Sequence, residues 1–265
     1  MATIVSFHAH PDDESIHVGG TLAKLSAAGH RVVLVFATKG EHGEVADDFL
    51  ADGEELWQRR EQEVLQSAEI LGVQRVEFLG YHDSGMIDTP ENDLPDAFWQ
   101  APVDDAAERL ARILREEDAV ALTAYDSDGG YGHPDHIQVH RVGLRAAELA
   151  GTPRFFEATM NRDHLRRIIE EAVADGSIPQ DEVPDVTEES SFGRPESVIT
   201  TTVDVSEHIA AKRASMAVHA SQISDNHFFL TLPDAAFARS FGQEWFIRHG
   251  VPEDHRDDDL LADLA

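Results

Sequence analysis

Two short clusters of histidine and carboxylate residues have the types and spacing that metal chemistry needs. They are His10-Pro11-Asp12-Asp13-Glu14 and His133-Pro134-Asp135-His136. A zinc ion in a hydrolase keeps about three protein ligands and leaves one position for water. A nearby carboxylate can take a proton from that water. Together the two clusters predict a metal-dependent active site.

Helix capping is the alternative explanation of the first cluster. An aspartate in a strand-to-helix turn often accepts hydrogen bonds from the first helical amides. Capping accounts for one of Asp12 and Asp13, but for neither His10 nor the second cluster, so we favour the metal site. The spacing alone leaves open which aspartate binds the metal and which is the general base. It also leaves open which of His133 and His136 completes the site and which donates a proton.

The elements around both clusters are those of an open α/β sheet. An apolar run that is typical of a buried strand precedes each cluster, at residues 4–7 and 119–122. Ligands and chemistry collect at the carboxyl ends of strands in such sheets. Strand patterns at 3–8, 31–37, 75–79, 119–124 and 154–159 alternate with helix patterns at 15–28, 54–71, 104–117 and 135–150. This alternation predicts a Rossmann-like three-layer α/β/α fold with a mainly parallel sheet.

We expect residues 1–265 to form a single domain, because a chain of this length can be organised around one core. Residues 1–160 make up the Rossmann-like part, and residues 161–253 make up a smaller C-terminal cap that walls the site. Inside the cap the patterns predict helices at 163–174 and 207–219, a strand at 197–203 and an acidic loop at 175–196. Residues 254–265 are expected to be a flexible acidic tail.

Composition restricts both the metal ligands and the partners. The chain has no cysteine, so histidine and carboxylate side chains must hold any metal. It has 51 acidic against 21 basic residues and a formal net charge of -30. Such a chain repels nucleic acid and anionic lipid, so neither is expected as a partner. The acidic residues are dispersed along the whole chain, which favours a surface adapted to high salt over a docking site for a cationic partner.

The sequence contains no apolar stretch long enough to span a bilayer, and its first residues enter a strand without a signal-peptide pattern. It therefore predicts no membrane insertion and a cytoplasmic location. A homo-oligomer stays open, because nothing in the sequence specifies the number of subunits.

Two long motifs and several shorter ones resemble one known family. The long ones are His10-Pro11-Asp12-Asp13-Glu14 and Gly129-Gly130-Tyr131-Gly132-His133-Pro134-Asp135-His136. The shorter ones are Thr38-Lys39-Gly40-Glu41-His42-Gly43, Arg60 with Glu63, Asp83-Ser84-Gly85-Met86, and Lys212 with His219-Ala220-Ser221-Gln222. In these motifs the chain is similar to the LmbE/PIG-L family of zinc-dependent N-deacetylases. The last motif resembles the branch that contains mycothiol-pathway deacetylases and amidases.

The resemblance implies a role for the residues of the first cluster and for the end of the second. By position, His10, Asp13 and His136 become the metal ligands. Asp12 becomes the general base that deprotonates the water. The expected ion is Zn²⁺, although Fe²⁺, Mn²⁺ or Co²⁺ would accept the same ligand types.

The same resemblance implies further catalytic and substrate-binding residues. His133 would protonate the departing amine or steady the oxyanion, Asp135 would orient His133, and Tyr131 would polarise the amide carbonyl. Arg60 and Asp83 would hydrogen-bond sugar hydroxyls. For Glu41 we expect a place facing the pocket as a further substrate contact, with loop capping as the alternative.

The sequence therefore predicts a metal-dependent hydrolase that removes an N-acyl group, most simply acetyl, from an N-acetylglucosamine-type sugar conjugate or a related small amide. An amidase that cleaves a thiol-conjugate amide is one alternative. A non-haem iron oxygenase fits the ligand types, but its usual antiparallel scaffold does not fit the alternation of strands and helices. A non-catalytic Rossmann-like sensor would be expected to lack the base or the proton donor, and both are present.

Overall fold

Seven strands form one sheet at the centre of the protein. The computed structural model describes residues 1–174, 192–252 and 254–262. The strands are β1 (Thr3–His8), β2 (Arg31–Phe36), β3 (Arg75–Phe78), β4 (Ala121–Tyr125), β5 (Phe155–Thr159), β6 (Thr201–Asp204) and β7 (Gln243–Arg248). Their order across the sheet is β3-β2-β1-β4-β5-β7-β6. The pairs among β1 to β5 are parallel, whereas β7 is antiparallel to both β5 and β6.

Helices cover both faces of this sheet. They are α1 (Asp13–Ala27), α2 (Leu56–Leu71), α3 (Val103–Glu116), α4 (Pro134–Ala150), α5 (Arg162–Ala174), α6 (Ile209–Val218), α7 (Phe228–Thr231) and α8 (Asp234–Phe241). Helices α3 and α4 pack together over one face, and α1 packs with α2 and α6 over the other. None of the helices in the described ranges is both long enough and apolar enough to cross a membrane.

The central strands contribute alternate residues to two apolar cores. Val5 and Phe7 of β1 face the core under α3 and α4, whereas Ile4 faces the core under α1 and α2. In β2, Val33 and Leu34 divide in the same way. A strand buried on both faces needs an almost continuous apolar sequence, which is the pattern that these two strands show.

The predicted fold class is confirmed: the protein is a three-layer α/β/α structure with a mainly parallel sheet. Within residues 1–160 each predicted strand and helix is present, with bounds that differ by at most two residues. Helix α1 begins earlier than expected, at Asp13, directly after the first cluster.

The last hundred residues differ more from the prediction. Strand β7 and helices α7 and α8 were not predicted, and β6 is shorter than the expected strand at 197–203. Through β6 and β7 the segment expected to be a cap also extends the sheet. The sequence of β7 gives little sign of a buried strand, because its apolar run, residues 245–247, is only three residues long and is preceded by Glu244, a charged residue that is buried. Most of the predicted acidic loop, residues 175–191, lies outside the described residues.

The prediction of a flexible tail is wrong for residues 254–262. Leu260 and Leu261 are buried in the core under α1 and α2. The backbone of Asp257 exchanges hydrogen bonds with Thr200 and Thr202 beside β6. These two leucines anchor the acidic segment, because the burial of each apolar side chain favours the folded position of the segment.

Candidate metal centre

Both sequence clusters lie at the carboxyl ends of adjacent strands. The first follows β1 and the second follows β4, and these two strands are paired in the middle of the sheet. Strand β1 is also the point at which the order reverses, because the chain runs outward from it to β2 and β3 before it returns to β4. Open α/β sheets bind their ligands at such a switch point. The loop after β3 supplies Asp83 and Ser84 to the same place.

Three buried side chains converge there with the geometry of a metal triad. The ligating atoms of His10, Asp13 and His136 all lie within 4.8 Å of one another. The two carboxylate oxygens of Asp13 separate the rings, with Oδ2 at 3.5 Å from His10 Nδ1 and Oδ1 at 3.3 Å from His136 Nε2. Burial alone would raise the pKa of Asp13, but the two neighbouring histidines hold it well below its usual value. Asp13 is thus kept in the ionised form that a metal ligand requires.

The ring of His136 indicates that this place suits a cation. It is fully buried, and neither ring nitrogen has a hydrogen-bond partner within the described part of the chain. An unpaired buried polar atom is costly unless something binds it. Tyr125 stacks on the ring at 4.4 Å between centroids and fixes its plane. Two imidazoles and one carboxylate are a ligand set that suits Zn²⁺ and other first-row divalent ions.

The opposite side of the His10 ring faces two more carboxylates. Its Nε2 lies 3.2 Å from Asp135 Oδ2 and 3.4 Å from Asp83 Oδ1. Metal-binding histidines commonly donate their second N–H to a carboxylate, which fixes the ring and the tautomer. His10, Asp83 and His133 form a second group of potential ligands that shares His10 with the first.

Asp12 lies beside the triad in an unusual backbone conformation. Its φ is 114° and its ψ is -32°, and its side chain makes no capping hydrogen bond to α1. Capping by this side chain, the alternative explanation of the cluster, is therefore not what the structure shows. The Asp12 carboxylate lies 3.3 Å from Arg60 Nη2. Burial raises the pKa of Asp12 to about 6, although Arg60 opposes that shift.

His133 and Asp135 are joined through the backbone. The amide of Asp135 donates to His133 Nδ1 at 3.1 Å, so the neutral His133 ring has its proton on Nε2. Burial, together with His10 and His136, lowers the pKa of His133 to about 3. The Asp135 carboxylate does not orient His133 directly. It accepts from the backbone amide of Ser84 at 2.9 Å and from the Ser84 hydroxyl.

Tyr131 lies at the rim of the site. It is 42% exposed, and its ring centroid is 4.9 Å from that of His136 and 6.2 Å from that of His133. Burial of part of the ring and the nearby Asp13 charge raise the pKa of its phenol. Tyr131 therefore keeps its hydroxyl proton at neutral pH and can donate it in a hydrogen bond.

The three predicted substrate contacts are close to the site but already have protein partners. Arg60 donates to the carbonyl oxygens of Gly40 and Pro11. Asp83 accepts from the amides of His42 and Gly85. Glu41 accepts from the Asp83 amide at 3.1 Å, so it braces the loop that contains Asp83.

Four functional candidates were missed by reasoning from sequence: Tyr125, Ser84, Glu14 and His219. Glu14 and His219 have no exposed surface, and His219 Nε2 lies 2.6 Å from Glu14 Oε1. The pair is 205 positions apart in sequence, so no local spacing could reveal it. The only available signal was that each residue belongs to one of the family-like motifs.

Comparison with known proteins finds the same kind of protein by family model and by sequence similarity, namely sugar de-N-acetylases. The family model described as "PIG-L: GlcNAc-PI de-N-acetylase" matches residues 5–147. A 1D-myo-inositol 2-acetamido-2-deoxy-alpha-D-glucopyranoside deacetylase of Nocardiopsis dassonvillei is 45% identical over 238 residues, covering 82% of this chain and 83% of that protein. A protein of Catenulispora acidiphila with the same name, numbered deacetylase 1, is 39% identical over 261 residues, and the match covers 90% of this chain and 81% of that protein.

Among solved structures, the N,N'-diacetylchitobiose deacetylase from Pyrococcus horikoshii superposes with a TM-score of 0.56 at 24% identity. The match covers 89% of this chain and 72% of that chain. At this identity the similarity concerns the fold.

Proposed function

The chain belongs to the PIG-L family of GlcNAc-PI de-N-acetylases, and we propose on that basis that it is a metal-dependent deacetylase of N-acetylglucosamine-type sugar conjugates. The observation that supports this most directly is the buried triad of His10, Asp13 and His136, beside a strained aspartate at the switch point of the sheet. The relatives named above act, by their names, on an inositol glycoside of N-acetylglucosamine. We take that compound as the first candidate substrate.

We propose Zn²⁺ as the metal, held by His10, Asp13 and His136. The ring nitrogens of His136, which have no hydrogen-bond partner in the described part of the chain, and the ionised Asp13 beside them fit a divalent cation. A bound divalent ion of this kind acidifies a water molecule and polarises an acyl oxygen. Fe²⁺, Mn²⁺ and Co²⁺ fit the same ligand types and are distinguished by reconstitution.

Asp12 is the proposed general base. Its carboxylate is next to the triad, and its pKa of about 6 lies near neutrality, where a base is both ionised and able to hold a proton. Arg60, at 3.3 Å, keeps the carboxylate in place by charge. Asp12 would take one proton from the attacking water and later pass it to the departing amine.

His133 is the proposed donor to the oxyanion. Because its Nδ1 accepts from the Asp135 amide and its pKa is lowered, the neutral ring presents an Nε2–H to the site. A fixed donor at a developing negative charge contributes strongly to the rate of acyl transfer. Tyr131 would add a second hydrogen bond to the acyl oxygen from the rim. Asp135 would support the oxyanion donor through its amide, which donates to the His133 ring. Its carboxylate would support metal binding by facing His10 Nε2.

Arg60, Asp83 and Glu41 are the proposed contacts for sugar hydroxyls. Glu41 follows β2 and Asp83 follows β3, and Glu41 accepts from the Asp83 amide, while Arg60 reaches the first of these loops from α2 by donating to the Gly40 carbonyl. Their existing hydrogen bonds hold them rigid, which lowers the entropy cost of binding a flexible sugar. The acidic character of this rim also suits the amine that deacetylation produces, because the amine becomes a cation in water.

The test is acetate release from a panel of substrates. The panel holds 1D-myo-inositol 2-acetamido-2-deoxy-α-D-glucopyranoside, N-acetylglucosamine, N,N'-diacetylchitobiose and one thiol-conjugate amide. The protein is assayed in high salt after chelation and after reconstitution with each of the four metals. Release of acetate from a sugar that requires metal and is abolished in Asp12→Ala is the expected result.

Two results would contradict the proposal. Cleavage of the thiol-conjugate amide without acetate release would support the amidase alternative. Stoichiometric metal binding without turnover of any substrate would favour a sensor.

A further inference from the structure

The peptide between Pro11 and Asp12 is held at both of its polar atoms. Its carbonyl oxygen accepts a 2.5 Å hydrogen bond from Arg60 Nη2 on α2. Its N–H donates to Glu14 Oε2 at 2.9 Å, from the first turn of α1. Arg60 and Glu14 are both buried. The orientation of this peptide, and with it the backbone of Asp12, is therefore fixed from two helices.

Asp12 needs such support. Its φ of 114° is a conformation that side-chain-bearing residues rarely adopt. Residues in such regions keep their conformation only where the surrounding structure imposes it, and they concentrate at functional sites. If one side of the clamp were lost, the peptide could rotate to a more common φ. The Asp12 carboxylate would then leave its present direction.

Glu14 is itself fixed by three donors on its other oxygen. Glu14 Oε1 accepts from Ser67 Oγ at 2.5 Å, from Ser15 Oγ at 2.8 Å and from His219 Nε2 at 2.6 Å. This arrangement leaves Oε2 for the Asp12 amide. His219 directly follows α6. The buried Glu14 carboxylate therefore connects the C-terminal part of the chain with the Asp12 backbone, because it contacts both His219 and the Asp12 amide.

We propose that Glu14 and His219 are positioning residues that act through the backbone of Asp12. His219 holds the Glu14 carboxylate, Glu14 holds the Asp12 amide, and the Asp12 carboxylate is thereby directed at the reacting water. The inference rests on the proposed function for the role of Asp12. The clamp itself is a property of the folded chain and can be measured without substrate.

The first experiment compares His219→Leu with His219→Gln. Glutamine retains an N–H that can reach Glu14, whereas leucine fills the space without a donor. In His219→Leu we expect kcat to fall by about tenfold or more, since a small displacement of a catalytic group is costly. KM should change by less than about twofold and the metal content should stay the same, because neither substrate contacts nor ligands are altered. His219→Gln should recover most of kcat.

The second readout is the amide proton of Asp12, observed by NMR in the full-length metal-free protein. A hydrogen bond to a carboxylate moves an amide proton downfield. We expect the resonance to move upfield in His219→Leu and in Glu14→Ala, and to stay in place in His219→Gln. This readout does not depend on activity, so it tests the clamp even if the proposed reaction is wrong.

Lys212→Met is the matched control. Lys212 Nζ lies 2.6 Å from Glu244 Oε1, and Glu244 accepts from the amides of Gly20 and Thr21 in α1. This buried pair also joins α6 to α1, but its partners on α1 are eight and nine positions beyond Asp12 in the chain. The control should lower thermal stability and leave both kcat of the folded protein and the Asp12 resonance unchanged.

The outcomes separate the two proposals. An active wild type with unchanged kcat in His219→Leu overturns the positioning role. An Asp12 resonance that does not move overturns the clamp, and an equal loss of kcat in Lys212→Met shows that general loosening is responsible. A wild type without acetate release on any substrate contradicts the proposed function, while the resonance still decides whether the clamp exists.

Discussion

The carboxylate of Asp135 accepts hydrogen bonds from both the backbone amide and the hydroxyl of Ser84. Ser84 is in the loop after β3, 51 positions earlier in the chain, and both residues are fully buried. Since Asp135 Oδ2 also faces His10 Nε2 at 3.2 Å, Ser84 fixes the group that orients a proposed metal ligand. The loop after β3 is therefore part of the site even though neither sequence cluster lies in it.

Ser84→Ala should weaken metal binding. Loss of the hydroxyl leaves the buried Asp135 carboxylate with fewer donors, which costs about 1–3 kcal/mol. Partners of metal-bound histidines typically affect metal affinity by roughly 10–100-fold when they are mutated. Competition with a chromophoric chelator measures the affinity, and urea unfolding measures the stability. Ser26→Ala removes a hydroxyl that donates to Gly72 O far from the site, and should leave the affinity unchanged. Equal affinities in the two variants would contradict the role of Ser84.

Asp12→Ala and Asp13→Ala should separate catalysis from metal binding. Asp12→Ala should keep one metal per chain and lose about 10²–10⁴-fold in kcat, the usual contribution of a general base. Asp13→Ala should lose the metal, because Asp13 is the only carboxylate of the proposed triad and its two oxygens face His10 and His136. Metal content by atomic emission and acetate release by a coupled assay decide the matter. The reverse pattern would exchange the two proposed roles.

Glu117→Gln should make the protein less stable in a pH-dependent way. Glu117 pairs with Arg31 Nε at 2.6 Å and with Arg75 Nη1 at 2.8 Å, and these partners lower its pKa from 4.5 to about 2. Because the folded protein holds the ionised form, the stabilisation is fully present above about pH 5 and disappears as the pH falls towards 2.

Urea unfolding from pH 7 to pH 3.5 tests this prediction. The wild type should exceed the variant by about 1–2 kcal/mol at pH 7, and the difference should shrink below pH 4.5. Acetate release should stay unchanged, since these arginines are the first residues of β2 and β3, at the amino ends of the strands, whereas the site lies at the carboxyl ends. A difference that does not depend on pH would show that packing, rather than charge, is responsible.

Stability should increase with salt. The formal net charge is -30, and the Debye length falls from about 10 Å at 0.1 M salt to about 3 Å at 1 M. Screening should therefore raise the melting temperature between 0.1 M and 2 M KCl by at least about 3 °C, or roughly 1 kcal/mol at this chain length. Neutralising the exposed residues Asp47, Asp52 and Glu69 together should reduce that increase. A protein equally stable in dilute buffer would contradict the high-salt interpretation.

The sequence was most informative where chemistry and periodicity coincide. Strands β1 and β4 are mainly apolar, and a cluster of histidine and carboxylate residues follows each one, so the meeting of the two clusters at the carboxyl ends of the strands could be predicted. The start of α1 was placed two residues late, because the backbone turn at Asp12 is held by the side chain of Glu14, two residues further on, and by that of Arg60, which reaches it from α2.

Long-range polar pairs could not be predicted, because each partner looks like an ordinary polar residue in its own segment. Glu244 lies in β7 and neutralises Lys212 of α6, and this pairing allows a charged residue inside a buried strand. The sequence pattern of β7 is correspondingly weak. His219 and Glu14 form a similar long-range pair beside the proposed active site. Their role could be inferred only once the fold had shown that they are in contact.

The order of the last strands has a consequence for biosynthesis. Strand β7 lies between β5 and β6 in the sheet, although β6 precedes it in the chain. During translation β6 has no neighbour to pair with until β7 has emerged from the ribosome and joined β5. Helix α6 and His219 lie between these two strands in sequence. A nascent or truncated chain that ends before α6 would contain His10, Asp13 and His136 but would lack His219, which holds the Glu14 carboxylate behind Asp12. We therefore expect such a chain to acquire metal before it acquires activity.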